Sequence, residues 1–216
     1  MQSTYHPGVF DVSDMAQAMR IILTPEGSST DQRWQTETPY VADLIESSIE
    51  ITAETILVDY GCGIGRMAKE LIARHGCHVI GIDISHSMRG LAAVYVGSDR
   101  FFSCSPAMFD TMVGRGFKVD AAISIWVLQH CLNPVEDIGR IRRGLKPGAG
   151  LFILNNDYRA IPTTERGWVN DGVDIKAMLN KEFVLRQEGR PSREGTTETL
   201  SRLTFWASYR SNTAAH

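Results

Sequence analysis

Between about residue 55 and residue 155, short apolar runs alternate with segments of helical periodicity. The apolar runs are rich in β-branched and aromatic residues, which favours strands. Five successive strands are predicted, at residues 55–59, 78–83, 100–103, 119–125 and 150–155. Because helical segments alternate with these runs, we expect crossover connections and parallel strands. A parallel sheet is covered on both faces, so the pattern predicts a doubly wound α/β domain.

Three helical segments within this region can be delimited. Residues 66–75 and 85–96 carry apolar residues at helical spacing. Pro134 opens the third helix, which ends in the basic turn Arg142-Arg143; with Arg140 and Lys146 this turn forms a basic cluster. We interpret this basic turn as a partner of the helix dipole rather than as a phosphate site, because cations at a helix C-terminus usually have that role.

Beyond residue 155 the pattern changes. A polar loop at residues 156–168 and a short helix at about residues 171–180 precede two strands, at 183–187 and 203–209. These strands follow each other without a long crossover, which predicts an antiparallel pair. We therefore expect a seven-stranded, mostly parallel, Rossmann-like sheet with an antiparallel C-terminal strand.

The first 50 residues are helical in pattern, with the better candidates at residues 15–23 and 39–49. We expect residues 1–50 to fold over the carboxyl edge of the sheet as a helical lid, and residues 51–216 to form the core. A length of 216 residues and a hydrophobic fraction of 43% suit one structural domain with a sizeable core.

The charge balance argues against a large polyanionic partner. The net charge of -3, from 22 basic and 25 acidic residues, indicates no broad basic surface that could bind nucleic acid or an anionic membrane. No apolar run approaches the roughly 20 residues of a membrane-spanning helix, and the first residues lack a signal-peptide pattern. We expect a cytoplasmic monomer or homodimer that acts on a small-molecule substrate.

The four cysteines are scattered singly, at Cys62, Cys77, Cys104 and Cys131. A protein in a reducing compartment does not need them as disulfides, so we expect free thiols, at least three of them buried. Cys77 is followed by His78, but no second pair with ligand spacing accompanies them. We predict no metal site.

The first strand-to-helix turn contains Gly61, Gly63 and Gly65. Ligands of open parallel sheets bind at the carboxyl ends of the strands, where such a turn supplies the cradle. Glycines let the backbone approach a ligand closely, and free amides at the start of the next helix face it. A dinucleotide fingerprint needs G-x-G-x-x-G, but its third glycine position holds Arg66. A pyrophosphate cofactor is therefore disfavoured.

Asp83 ends the second predicted strand, 18 residues after Gly65. A carboxylate at this position can accept hydrogen bonds from two ribose hydroxyls. The alternative is that Asp83 caps the following helix, a role that Ser85 could share. With the glycine loop upstream, we favour ribose binding.

Four segments in order carry a family resemblance: residues 58–66 (VDYGCGIGR), 81–85, 120–130 and 145–153. With them the chain resembles the class I S-adenosylmethionine-dependent methyltransferases, close to the small bacterial enzymes often called type 11. The resemblance runs from about residue 39 to residue 209.

The resemblance implies S-adenosyl-L-methionine as cofactor and S-adenosyl-L-homocysteine as product. It implies that Asp59 orients the loop and the cofactor's amino group, that Asp83 holds the ribose, and that Ile84 and Met88 lie against the adenine. For such apolar residues, core packing is the alternative. Related enzymes often have an acidic residue after the third strand; this chain has none there, so Ser105 or a backbone carbonyl is expected to serve. The predicted cofactor-binding residues are Asp59, Gly61, Cys62, Gly63, Gly65, Arg66, Asp83, Ile84, Met88, Ser105, Met108, Trp126 and Gln129.

Methyl transfer from a sulfonium is an in-line displacement, so catalysis can come mainly from alignment and the exclusion of water. If the acceptor is a hydroxyl, a general base helps, and His130 at the end of the fourth strand is the catalytic candidate. Alternatively, His130 orients the loop or lines the cofactor, as it often does in the resembling enzymes. Trp126 and Gln129 share this strand end and are expected to face the cofactor or acceptor.

Aromatic residues in two segments are candidates for the acceptor pocket: Trp34 and Tyr40 in the N-terminal part, and Tyr158 and Trp168 in the later polar loop. Aromatic rings can stack on a substrate or contact a sulfonium through cation-π interaction. Core packing and a solvated loop are the respective alternatives. The predicted function is methyl transfer to a small-molecule acceptor. A non-catalytic cofactor-binding module, a protein or RNA methyltransferase and a nicotinamide-dependent oxidoreductase stay open.

Overall fold

Seven strands form one mixed sheet in the computed structural model, which describes residues 4–25 and 27–212. The strands of the sheet are Ile56–Tyr60 (β1), His78–Ile82 (β2), Phe101–Cys104 (β3), Val119–Ile125 (β4), Leu145–Asn156 (β5), Phe183–Gly189 (β8) and Thr204–Ser211 (β9). Their order is β3-β2-β1-β4-β5-β9-β8. The first five are parallel, whereas β9 is antiparallel to both of its neighbours. The expected seven-stranded sheet with an antiparallel C-terminal strand is confirmed.

A separate two-stranded hairpin joins Ile161–Thr163 (β6) to Gly167–Val169 (β7). The sequence pattern predicts only a polar loop there. The hairpin buries Ile161 and Thr163, while its second strand is largely exposed.

Helices cover both faces of the sheet. They are Met15–Ile22 (α1), Thr30–Glu46 (α2), Arg66–His75 (α3), His86–Val96 (α4), Pro106–Gly114 (α5), Pro134–Gly144 (α6), Ile175–Glu182 (α7) and Glu198–Leu203 (α8). One core cluster joins α2 and α3 to one face, and a second joins α5, α6 and α7 to the other. In an alternating β/α chain, this arrangement brings the carboxyl ends of the parallel strands together at one edge.

The start of α2 differs from the prediction of a helix at residues 39–49. The helix begins at Thr30 after an N-cap at Ser29, so Pro39 lies inside it. The earlier turns lack an apolar stripe because their buried face carries the ion pair of Arg33 and Glu37. Charged residues at inward positions hide the amphipathic pattern on which the prediction depends.

Two further differences concern the second half of the sheet. β5 begins at Leu145, five residues before the predicted strand, and its pairing with β4 shifts register between Val119 and Ala121. The proline and glycines at residues 147–150 suggest a turn but here form an irregular strand start. Helix α5, which connects β3 to β4, is also absent from the elements that the sequence pattern predicts.

None of the described cysteines is paired. Cys62, Cys77 and Cys104 are buried and Cys131 is half-buried, which confirms the expectation of at least three buried thiols. Within residues 4–25 and 27–212, no helix has the length and apolar character needed to cross a membrane. The assignment of residues 1–50 as a lid stays a prediction.

Candidate active site

A cavity of about 630 Å³ lies at the carboxyl edge of the sheet. Its walls come from the turn after β1, the end of β2, the segment after β4, the start of α6 and the N-terminal residues. Its volume falls in the range of about 300–1,000 Å³ that is usual for small-molecule sites. The cavity therefore lies where an open α/β sheet is expected to bind its ligand.

The turn after β1 depends on glycine at two points. Gly61 has φ 80°, and a Cβ atom there would lie 2.2 Å from Cγ2 of Val127. Gly65 also has φ 80°, and its Cβ would lie 2.5 Å from Cγ2 of Val96. Both the left-handed backbone and the close neighbours exclude a larger residue. The turn can thus pass tightly under the segment after β4 and then enter α3.

The carboxylate of Asp83 holds this turn in place. Its Oδ2 accepts a hydrogen bond from the N–H of Gly63 at 2.8 Å, and its Oδ1 accepts one from the N–H of Ser85 at 2.9 Å. Helix α4 is capped by the hydroxyl of Ser85, which accepts from the N–H of Met88. Burial raises the pKa of Asp83, while these two N–H groups oppose the rise. Each carboxylate oxygen keeps a further lone pair for a ligand.

Asp59 and Arg66 form the buried charged part of the cavity. Asp59 is 2% exposed, and burial raises its pKa to about 7, although the positive charge of Arg66 opposes the rise. The guanidinium of Arg66 lies between two indole rings, 5.7 Å from Trp34 and 5.8 Å from Trp126. Burial lowers the pKa of Arg66 to about 10, so it keeps its charge at neutral pH.

Trp126, directly after β4, has φ 55° and is the one non-glycine residue with positive φ in the described ranges. Its N–H donates to the carbonyl of Leu154 at 2.6 Å, which holds the residue against β5. A bulky side chain in the left-handed region is strained, and such strain clusters at functional sites. The turn brings the ring of Trp126 against Arg66 and leads the chain into the segment that carries His130.

His130 lines the cavity from a short 3-10 helix, Leu128–His130. Its Nδ1 lies 2.6 Å from the carbonyl oxygen of Ala160, and its Nε2 lies 3.2 Å from Nε2 of Gln129. A carbonyl only accepts, so Nδ1 carries the proton and Nε2 is the basic nitrogen. Burial lowers the pKa of His130. At neutral pH this imidazole is uncharged and oriented.

An aromatic wall stands beside His130. The ring centroids of His130 and Trp168 are 5.0 Å apart, those of His130 and Phe10 are 5.6 Å apart, and those of Phe10 and Trp168 are 6.1 Å apart. Trp168 belongs to β7 and Phe10 to a short 3-10 helix, Pro7–Phe10. Two segments far apart in sequence thus frame the imidazole.

Residues 4–12, here called the N-terminal strap, cross the cavity. At one end, Tyr5 forms a β-bridge with Thr163 of the hairpin, and the N–H of Thr4 donates to Glu165 at 2.8 Å. Burial raises the pKa of Tyr5 to about 12, which agrees with a side chain turned into the cavity.

The other end of the strap is bound to the start of α4. The Oδ1 atom of Asp11 accepts from the hydroxyl of Ser85 at 2.9 Å, and the N–H of Val12 donates to the hydroxyl of Ser87 at 2.9 Å. The strap therefore spans from the hairpin to the helix after β2.

Most of the residues that the sequence pattern assigned to the site do line this cavity. They are Asp59, Gly61, Cys62, Gly63, Arg66, Asp83, Ile84, Met88, Trp126 and His130.

Other predicted cofactor residues lie beside the cavity rather than in its wall. Gly65 is the N-cap of α3, and Ser105 caps α5 by accepting from the N–H of Met108. Met108 itself is 48% exposed. Gln129 is buried behind His130, where its N–H donates to the side chain of Asn155. These four residues lie beside the cavity but do not line it.

The four aromatic candidates for the acceptor pocket have different surroundings. Trp34 donates from Nε1 to the hydroxyl of Tyr95, and its ring backs Arg66. Tyr40 accepts from the N–H of Ser192 outside the cavity. Tyr158 is exposed. Trp168 and Trp34 each contact a residue that lines the cavity, His130 and Arg66 respectively.

The contacts of the strap, which belongs to the expected lid at residues 1–50, and a polar network on α6 were not predicted from the sequence. Arg140, interpreted as a dipole partner, is buried and donates to Asp110, Glu136, Asp137 and the hydroxyl of Tyr60. The i, i+3 and i, i+4 spacing of the carboxylates on α6 was a usable signal. The strap offered none, because its partners lie far away in the sequence.

Comparison with known proteins agrees with this geometry. A family profile described as a methyltransferase domain matches residues 58–153. The chain is 27% identical over 121 residues to a ubiquinone biosynthesis O-methyltransferase of Coxiella burnetii, covering 54% of this chain and 50% of that protein. It is 32% identical over 104 residues to the N-demethylindolmycin N-methyltransferase of Streptomyces griseus, covering 46% and 43%. The chain thus spans about half the length of these curated relatives.

Solved structures show the same fold. A geranyl diphosphate methyltransferase in complex with S-adenosylmethionine matches with a TM-score of 0.66 at 15% identity, over 97% of this chain and 96% of that one. A chain from the complex of the Haloferax volcanii Trm112 methyltransferase activator with a methyltransferase matches with a TM-score of 0.66 at 17% identity, over 86% and 94%. The family match, the curated relatives and the fold together support a class I S-adenosylmethionine-dependent methyltransferase, with S-adenosylmethionine as its cofactor.

Proposed function

We propose that the protein transfers a methyl group from S-adenosylmethionine to a hydroxyl of a small, largely apolar acceptor. The observation that carries this proposal is the position of His130. An uncharged imidazole with a fixed tautomer lines the same cavity as the glycine turn and Asp83. One cavity therefore offers both a cofactor site and a base.

The side chains in the cavity suit the cofactor's chemistry. Asp83 would accept hydrogen bonds from the ribose, because its oxygens are already oriented by two N–H groups. Arg66 and Asp59 would hold the carboxylate and the ammonium group of the methionine part. Ile84 and Pro106 offer apolar surface for the adenine. When bound, the cofactor would supply a sulfonium methyl carbon that a nucleophile attacks in line with the carbon-sulfur bond, with the thioether as leaving group.

His130 would take the proton of the acceptor's hydroxyl at Nε2. The bond from Nδ1 to the carbonyl of Ala160 keeps the Nδ1 proton in place and stabilises the imidazolium once it forms. The acceptor oxygen would then bond to the methyl carbon, and the electron pair of the broken carbon-sulfur bond would stay on sulfur. The amide nitrogen of Gln129 faces Nε2 in the neutral state, and its unpaired Oε1 would have to turn toward the ring once Nε2 is protonated.

The cavity wall favours a small acceptor with an aromatic or other flat apolar part. Phe10 and Trp168 flank His130, and Ile21 and Ile22 of α1 add apolar surface. Residues of the strap line the cavity, and a cavity of this size suits a metabolite better than a folded protein or an RNA. Two relatives, one named for ubiquinone biosynthesis and one for N-demethylindolmycin, point to small molecules as well.

The experiment combines binding and turnover. Calorimetry with S-adenosylhomocysteine should give saturable binding, and mass spectrometry of a panel of phenols, catechols and aliphatic alcohols should find one methylated class. A parallel panel of amines, peptides and RNA is the comparison. Methylation confined to peptides or RNA would overturn the acceptor class, and absence of cofactor binding would overturn the whole proposal.

A further inference from the structure

We propose that Asp11 of the N-terminal strap is a second ribose-binding carboxylate, which ties the strap over the bound cofactor. This inference rests on the proposed cofactor site and adds a residue to it from a different part of the chain. It also gives the strap a definite role: closure would depend on the cofactor rather than on the strap's own contacts alone.

Ser85 bridges the carboxylates of Asp11 and Asp83. Oδ1 of Asp11 lies 2.9 Å from the hydroxyl of Ser85, and the N–H of Ser85 lies 2.9 Å from Oδ1 of Asp83. Both Asp11 and Asp83 line the cavity. Among the described residues, Oδ2 of Asp11 has no hydrogen-bond partner. A ligand in the cavity can therefore reach an oxygen of each carboxylate.

The charges of these two aspartates also favour a ligand with two donors. Two carboxylates near one serine repel each other, and the charge of Asp11 contributes to the raised pKa of Asp83. A ligand that presents hydrogen-bond donors to both groups would relieve this repulsion. The vicinal hydroxyls of a ribose are two adjacent donors, which matches two adjacent carboxylates better than a single one.

The strap meets α4 directly beside Asp11. The N–H of Val12 donates to Ser87, whose hydroxyl lies 3.0 Å from that of Ser85. A small ring of hydrogen bonds thus joins the strap to the helix. A ribose hydroxyl bound by Asp11 would add a contact that exists only with cofactor present, and this contact would favour the closed strap.

The test compares S-adenosylhomocysteine with its 2′-deoxy and 3′-deoxy analogues by calorimetry. In the wild type, removal of the hydroxyl that meets Asp11 should weaken binding at least about tenfold, as for a hydrogen bond to a charged group. In Asp11→Asn, binding of S-adenosylhomocysteine itself should weaken. The further loss of affinity on going to that deoxy analogue should be smaller than in the wild type. Asp14→Asn is the matched control, since Asp14 caps α1 through a bond that asparagine can also make.

A second readout follows the strap itself. Hydrogen exchange at the N–H of Val12 should slow when S-adenosylhomocysteine binds to the wild type or to Asp14→Asn, and should slow less in Asp11→Asn. If the deoxy analogue loses the same affinity in the wild type and in Asp11→Asn, the inference is overturned, while the proposed cofactor site is unaffected. No binding by the wild type would instead refute the proposed function.

Discussion

The N–H of Gly63 and the carboxylate of Asp83 lie 2.8 Å apart, so a residue at the end of β2 fixes the turn that follows β1. Asp83 does this with one oxygen while the other accepts from the N–H of Ser85. The turn and the carboxylate are therefore held in fixed positions relative to each other at the cavity before a ligand binds. Such preorganisation lowers the cost of ordering the site when a ligand binds.

Asp83→Asn should weaken binding of S-adenosylhomocysteine by about 10- to 100-fold, as expected for a lost hydrogen bond to a charged group. The amide NH₂ cannot accept, so one of the N–H groups of Gly63 and Ser85 loses its partner. Calorimetry measures the change. Asp99→Asn, at an exposed position, is the control and should bind as the wild type does. Unchanged affinity in Asp83→Asn would remove Asp83 from the site.

His130→Asn should lower kcat for a hydroxyl acceptor by about 10²- to 10⁴-fold, the usual contribution of a general base. Asparagine can still donate to the carbonyl of Ala160 but cannot take a proton. The affinity for S-adenosylhomocysteine should stay near that of the wild type. His86→Asn, on the exposed start of α4, is the matched control. A loss of cofactor affinity equal to the loss in kcat would indicate that His130 lines the cofactor instead.

The rate should also depend on pH in a way set by His130. Its pKa is lowered from 6.5 by burial, and only the neutral imidazole accepts a proton. The rate should therefore be flat above pH 6.5 and fall as the pH drops through the lowered pKa. A kcat profile across the acidic and neutral range, recorded for the wild type and His130→Asn, checks this. A midpoint above 6.5 in the wild type would contradict the assignment.

Gly61→Ala should destabilise the fold by about 2–5 kcal/mol, from strain at φ 80° and overlap with Val127. Gly90→Ala is the matched control, because Gly90 lies inside α4 and an added Cβ would meet no atom within 4 Å. That control should stabilise the protein by up to about 1 kcal/mol. Urea denaturation measures both. A Gly61→Ala variant as stable as the wild type would show that the turn can relax.

Glu37→Gln should cost about 3–5 kcal/mol of unfolding free energy, since it leaves a buried charge without its partner. The side chains of Arg33 and Glu37 are 4% and 1% exposed, with 2.6 Å between Nε and Oε1. Glu198→Gln removes the partner of Arg193 in an exposed pair and should change stability by at most about 1 kcal/mol. If the two substitutions lower the unfolding free energy equally in urea titrations, this prediction is wrong.

The central β/α part was predictable because its elements have strong local signals. Apolar runs, the helical spacing of apolar residues and the proline at the start of α6 are each signals contained within a few residues. The glycine turn and Asp83 were found for the same reason, since each follows a predicted strand. Local chemistry and global fold agree in this region, as expected of a foldable sequence.

The features that could not be predicted depend on distant contacts. Phe10 and Trp168 become one wall only after the chain has folded, and neither has a neighbour in sequence that predicts the other. In α2, the buried pair of Arg33 and Glu37 reverses the usual pattern of apolar residues on the inner face. Tyr40 was a candidate for the acceptor pocket, but its hydroxyl instead accepts a hydrogen bond from the N–H of Ser192.

The contact between Thr4 and Glu165 joins residues 161 positions apart. Closing a loop of this length has an entropic cost and is slower than local pairing, so the strap should dock after strands β1–β5 have formed. During synthesis, the cavity stays open until the hairpin at residues 161–169 has emerged and folded. The ligand site would then be completed after β1–β5 have formed, and the ability to bind would report a docked strap rather than these five strands alone.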